Sequence, residues 1–524
     1  MKNRNIILNL FSLGSLALLP AAQAVSPPPD GGYPGGNTAE GASALSSLTT
    51  GTFNTAVGIF SLLSNTDSSF NTAIGAGTLL SNIADNNTAT GAGALLSNST
   101  GEENTANGAF ALFFNTEGLF NTAAGAFALE GNTTGSQNTA VGNVALVHNT
   151  EGNFNTAVGD EALFDNINGS GNTADGVNAL RSNIDGHRNT GIGGDALLAN
   201  TSGSDNTAVG DRALQHNTEG NGNAAAGASA LFSNTTGNDN TATGGNALTS
   251  NTTGEFNTAN GSQALLENST GSNNTAIGAS ALFSNTTGVV NTAIGDEALS
   301  QNTTGDANTA VGRDALVSDT TGSTNIALGV AAGSNVTTAN NVICIGHTGF
   351  NTDNSCFIGN IFGYQVGNDA VPVSIDSFGR LGTMTSSRLF KKEIKPMDNA
   401  SEAILALKPV TFHYKSDKTN TPQFGLIAEE VAEVNPALIV RDNNGKPYTV
   451  RYDAVNAMLL NEFLKEHKTM QELKKEIAAL TATLKEQDSR IQKVSARIDA
   501  NKFVRRTAGR IRRGRPAPQI AINP

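Results

Sequence analysis

Ser386 and Lys391 lie five residues apart in "GTMTSSRLFKKEIKPM", residues 382–397, and these two side-chain types suffice for one kind of hydrolytic chemistry. A serine hydroxyl is a poor nucleophile until a base takes its proton, and a lysine can be that base when burial or nearby cations lower its pKa. In such a pair the serine attacks a carbonyl carbon, the lysine accepts and returns the proton, and water releases the ester. Arg388, Lys392 and Lys395 supply nearby cations. Ser387 and Lys392 share the same spacing, and a surface cluster of solvated lysines is the plainer reading of "KKEIK".

Other reactive residues are sparse. The two cysteines, Cys344 and Cys356, stand in "NVICIGHTGFNTDNSCFIGN". Aligning the shared "IG" puts Cys344 opposite Phe357, so alternating strands would turn the thiols to opposite sides, and free, buried thiols are expected rather than a bridge. Two cysteines and the nearby His347 do not make a zinc site. The acidic glycine-rich nonapeptide of calcium-binding β-rolls is absent, and no cofactor or metal is expected.

The Ser/Lys pair sits on a boundary in charge. Residues 25–385 hold 5 Arg, no Lys and 29 Asp plus Glu, a net −24, whereas residues 386–524 hold 14 Lys, 11 Arg and 16 acids, a net +9. Residues 1–24 read as a secretory signal, with Lys2 and Arg4 before "IILNLFSLGSLALLP" and "AQA" at Ala22–Ala24, so a secreted or cell-surface location is expected. The Pro/Gly stretch 25–36 reads as a linker, and no later stretch is apolar enough to span a bilayer.

From Asn54 to Asn308 units begin nearly always 17 residues apart, as in "NTAVGDEALFDNINGSG". Gly holds position five and Leu position nine, from Gly58 and Leu62 to Gly312 and Leu316. Partial units at Asn37, Asn325 and Asn341 extend the array over 37–360, with 361–385 a connector. So much Asn and Gly cannot sustain a helix, whereas two extended pieces, "NTAxG" and "ALxxN", joined by turns can stack. The expected fold is mainly β: a β-solenoid or β-roll with Ala at position three and Leu at position nine inside, about 85 Å long for some eighteen turns spaced about 4.8 Å. Invariant Asn columns such as Asn65, Asn82 and Asn98 fit hydrogen-bonded ladders better than a ligand site. "NTT" and "NST" sequons follow from the repeat. An ice-binding face is disfavoured because the outer Thr positions drift to other residues.

Beyond the boundary, residues 386–455 read as a small α+β module: a helix at "NASEAILAL", a strand at "VTFHYK", a helix from "FGLIAEEVAEV" and a hairpin around Asn444-Gly445. Residues 456–500 read as a coiled coil, with Leu459, Phe463, Met470, Leu473, Ile477, Leu480, Leu484, Ile491, Val494 and Ile498 at steps of three and four. Residues 501–524 form a basic, disordered tail in this reading, and nucleic acid is not favoured as its partner.

The blocks "SSRLFKKEI", "KPVTFHYK", "FGLIAEEV" and "RYDAVNAMLLNEFLKEH" together resemble the S74 peptidase domain, the C-terminal intramolecular chaperone of phage tailspikes, endosialidases and related trimeric fibres. The repeats are loosely similar to the β-roll heads of trimeric adhesins. The resemblance implies a homotrimer formed through solenoid and coiled coil, and a chaperone that templates folding and cuts itself off. It places Ser386 and Lys391 as the dyad, Ile394 as the apolar position fixing the register, and the cut between Thr385 and Ser386. The family carries Asp after the serine; this chain carries Ser387. An exported adhesin or structural fibre with a cell-surface or glycan ligand is expected, with two alternatives: a permanent, uncut trimerisation cap, and a glycan-degrading enzyme. Against the enzyme, the repeats hold no Trp and no recurring carboxylate pair.

Overall fold

The computed structural model describes residues 33–366, 370–376, 379–442 and 444–511. The expected signal, most of the linker and the tail beyond Ile511 lie outside them. The chain divides into two units between Tyr364 and Gln365.

The first unit is a β-solenoid. Twenty short strands, from β1 (Thr38–Glu40) through β2 (Thr55–Val57) to β20 (Ser355–Ile358), make one sheet, each parallel to the strand of the next turn. Register follows the repeat, with Ala56 beside Ala73 and Ala73 beside Ala89. The middle residue of each three-residue strand points inward and is buried, so the column begun by Ala56, Ala73 and Ala89 lines the core, facing the column begun by Leu62, Leu79 and Leu95. A third inner column, Ala94, Ala111, Ala128 and their successors at position eight, was not anticipated. It lies beside the leucine in every "AL" pair.

The second piece of the unit departs from expectation. "ALxxN" is a series of turns in which every leucine of the column is left-handed, with φ between +49° and +54° from Leu62 to Leu316. Such a conformation costs a non-glycine residue roughly 1–2 kcal/mol. It persists because it aims backbone donors between turns: Leu231 N–H reaches Ala247 O at 2.9 Å, while Ser229 N–H reaches back to Asp211 O at 2.9 Å. Position five must be glycine for a steric reason as well. Gly227 has φ +144°, and a Cβ there would stand 2.5 Å from Gly244 O.

Both Asn columns are buried ladders. Along the first, each backbone N–H donates to the Oδ1 of the Asn one turn earlier, as Asn71 does to Asn54 and Asn104 to Asn87, both at 3.0 Å. Along the second, Nδ2 donates to the previous Oδ1, as Asn132 does to Asn115 at 2.7 Å, and also to a turn carbonyl such as Gly135 O at 2.9 Å. The sequon residues Asn98, Asn132, Asn234, Asn251, Asn268, Asn285 and Asn302 belong to this second column and are fully buried. Two buried oxygens in it, Asn65 Oδ1 and Asn302 Oδ1, have no partner. The first faces the turn that begins at Asn71 and runs one residue short. The second faces Asp319, which has replaced Asn.

Two expectations at the far end need correction. The partial unit placed at Asn341 begins one residue later: Val342 N–H donates to Asn325 Oδ1 and Ile343 pairs with Ile326, so Val342 occupies the Asn column. Cys344 does face Phe357 across the ladder and is buried, but Cys356 sits opposite Ile343 on the outward side and is exposed. Both thiols are free.

The second unit contains a hairpin of β21 (Val373–Ile375) and β22 (Leu381–Thr383), a 3-10 helix at Asp398–Ala406, the antiparallel pair β23 (Val410–Phe412) and β24 (Gln423–Gly425), helix α1 (Ala428–Val434), and a hairpin of β25 (Ile439–Arg441) and β26 (Pro447–Val450). Val431, Leu438, Ile439, Val450, Val455 and Met458 form its core. Helix α2 (Tyr452–Ile511) is continuous, running eleven residues into the segment read as a disordered tail. The apolar seam expected of a coiled coil lies exposed along it, from Leu459 at 53% to Ile498 at 50%.

Candidate active site

The Ser/Lys pair follows directly on a strand. β22 ends at Thr383, and a single 3-10 turn, Arg388–Phe390, follows between Ser387 and Lys391, both of which are extended. One such turn spans the five-residue spacing, and Lys391 Nζ donates to Ser386 Oγ at 2.9 Å. Ser387 is engaged elsewhere: its Oγ accepts from Leu389 N–H at 3.3 Å and caps the turn. The structure therefore joins Ser386 to Lys391 and leaves Ser387 and Lys392 unjoined. Both members of the pair are exposed in the single chain, as are Arg388, Lys392, Lys395 and Ile394.

The cap gives Ser387 a role that spacing alone did not reveal. Serine and aspartate are both strong N-capping residues because each offers an oxygen to a free N–H of the first turn. Ser387 in place of Asp keeps that hydrogen bond and drops a negative charge beside Lys391.

A polar network, buried at Ser401 and half-buried at Asn461, Glu462 and Lys465, ties this unit together. Ser401 is fully buried, and its Oγ donates to Glu462 Oε1 on α2. Asn461 Nδ2 donates to Ser401 Oγ at 2.7 Å and to Asp398 O at 3.1 Å, and Lys465 Nζ donates to Glu462 at 2.7 Å. The Lys465 contact first, and the Ser401 hydroxyl second, hold the Glu462 carboxyl below its ordinary range. Tyr452 at the head of α2 accepts from Leu426 N–H at 3.0 Å, pinning the helix start beside β24. Tyr452, Asn461, Glu462 and Lys465 lie in the block "RYDAVNAMLLNEFLKEH" and Ser401 in the expected helix "NASEAILAL", but apart from the Glu462/Lys465 spacing of three, which favours pairing on a helix, nothing in the sequence assigns them these contacts.

The first residue of a family match is the serine of this pair. Residues 386–440 match the Peptidase S74 family, the chaperone of endosialidase. The S74 match spans the first three of the four blocks noted in the sequence and stops before the fourth, "RYDAVNAMLLNEFLKEH". That block is attached to the S74 segment by the Tyr452 and Ser401 contacts. No curated protein and no solved structure matches the chain. Among the described residues no group of three or more His, Cys, Asp or Glu could hold a metal ion, and no helix is long and apolar enough to cross a membrane.

Proposed function

We propose that the chain is a subunit of an exported, homotrimeric β-solenoid fibre whose S74 domain aligns three copies, templates their folding and then cuts the Thr385–Ser386 bond. The observation that carries the reading is the 2.9 Å Lys391–Ser386 hydrogen bond at the start of the S74 match, on the C-terminal side of the solenoid. Ser386 Oγ attacks the Thr385 carbonyl carbon as Lys391 Nζ takes the hydroxyl proton. The Thr385–Ser386 amide breaks, its nitrogen receives the proton from Lys391, and water hydrolyses the resulting ester. A lysine acts as base only when neutral, and burial favours the neutral amine. Both side chains are exposed in the lone chain, so in this reading neighbouring subunits provide the burial and cutting follows assembly.

The need for such a clamp follows from the repeats. Sliding one turn of the solenoid past another keeps the Gly and Leu columns aligned, so many registers have similar energy. The exposed apolar seam of α2, Leu459 to Ile498, is a surface that three parallel helices would cover before the strands pair. The mature part, residues 25–385, then acts outside the cell as an adhesin, coat or structural fibre.

Comparing the parent with Ser386→Ala on a denaturing gel tests the proposal. Fragments of 385 residues (361 after signal removal) and 139 residues should appear in the parent and vanish in the variant. A single full-length band in both would leave a permanent trimerisation cap.

A further inference from the structure

One face of the solenoid differs from the rest in charge and polarity. Residues 33–358 contain 26 Asp and Glu and 4 Arg, yet positions two and four of the twenty strands, the outward residues on either side of the buried Ala column, include only two acids, Glu40 and Asp175, and no Arg. Position two is threonine in sixteen of the twenty strands. Position four is largely aliphatic and exposed, as at Val141, Val158, Ile192, Val209, Ile277 and Ile294, each 37–42% accessible. Most other outward columns include acids, position six with Asp160 and Asp211 and the last position with Asp205 and Asp239; position thirteen, from Thr66 to Thr320, is also uncharged but is a single column.

Resting on the trimeric reading above, we propose that this Thr/aliphatic sheet face lines the threefold axis of the solenoid, where it meets the same face of two further copies of this chain. In a parallel, in-register trimer each residue near the axis meets its own counterparts. A charged column there would set three like charges together at every turn, which costs energy when they are drawn out of water. With a net charge of −22 over residues 33–358, this sheet face is where copies approach with least repulsion. Its size also suits a subunit contact. Twenty turns at about 4.8 Å and a width of about 8 Å give roughly 800 Å² per chain, near the usual area per partner of a stable interface. Glu40 in the first turn and Asp175 are the exceptions, and Asp175, between Val158 and Ile192, marks where the axis would be least stable.

Cysteine pairing on the full chain tests the proposal, with Cys356→Ser removing the exposed native thiol. Ile277→Cys on the face is compared with Val290→Cys in the same turn, and Val158→Cys with Val177→Cys, so that one poorly folding variant does not decide the result. Sedimentation of the parent tests the trimer itself. A trimeric parent with disulfide-linked chains for Ile277→Cys and Val158→Cys, and at least tenfold less linkage for the two controls, is the expected result. A trimeric parent with equal linkage at all sites, linkage only at the controls, or none at the face sites overturns this face and leaves the trimer standing. A monomeric parent overturns the trimeric reading. A face that stays unlinked in a trimer and protects ice or another flat surface would be a binding face instead.

Discussion

At Ser387 a single hydroxyl does what the family's carboxylate can also do, which is to cap the turn that places Lys391 against Ser386. Ser387→Ala should therefore slow the proposed self-cutting several-fold, since losing an N-cap costs about 1 kcal/mol, whereas Ser387→Asp should retain it, both read as fragment yield against time. Asp319 makes a second residue-level prediction. Its burial, outweighing hydrogen bonds from Asn325 and Gly322, pushes its pKa from 3.8 up to about 6. A raised carboxyl pKa means that the fold disfavours the ionised form. Stability contributed here is full below pH 4, declines as pH rises to about 6, and stays low above. A protonated Asp319 would also offer a donor for the orphaned Asn302 Oδ1. Asp319→Asn supplies that donor at every pH. It should protect amides 319–325 from hydrogen exchange at pH 7 by the equivalent of about 2–3 kcal/mol, with the gain shrinking towards pH 4.

At the scale of elements, the repeat period exposes much of the architecture and hides its backbone. The Ala and Leu core columns and the Asn ladders follow from side-chain type at fixed spacing, so Ala56, Leu62 and Asn98 could be placed from the sequence. The left-handed leucines could not, because leucine rarely adopts that conformation and only the hydrogen bonds between adjacent turns make it stable. For the same reason "ALxxN" looked like a strand. The position-eight alanines escape a pattern of one inward residue per extended piece, because a turn can bury two neighbours. At the site, the pairing of Ser386 with Lys391 was legible from spacing and motif, but Ser387 as a cap and Ser401 as the anchor of α2 depend on contacts that one residue type does not announce. Two substitutions check this account. Leu231→Ala should destabilise the solenoid by about 2–5 kcal/mol through the cavity it leaves. Gly227→Ala, which sets a methyl against Gly244 O, should be at least as damaging, and both can be followed by limited proteolysis near residue 230.

For the whole molecule, the proposed sequence of events is assembly first and cutting second. Replacing Leu480 and Leu484 with Asp, both more than 60% exposed on α2, should abolish trimers in sedimentation and reduce the 139-residue fragment together with them. If fragments persist without trimers, the dyad works within one chain. The two unpaired ladder oxygens bear on the same assembly. A perfectly periodic solenoid carries no record of position, and a chain shifted by one turn against its neighbours would notice nothing. The short turn after Asn65 and the carboxylate after Asn302 break that sameness near opposite ends. In the proposed trimer they would act as index marks, two defects a fixed number of turns apart that coincide in all three chains only when the register is correct.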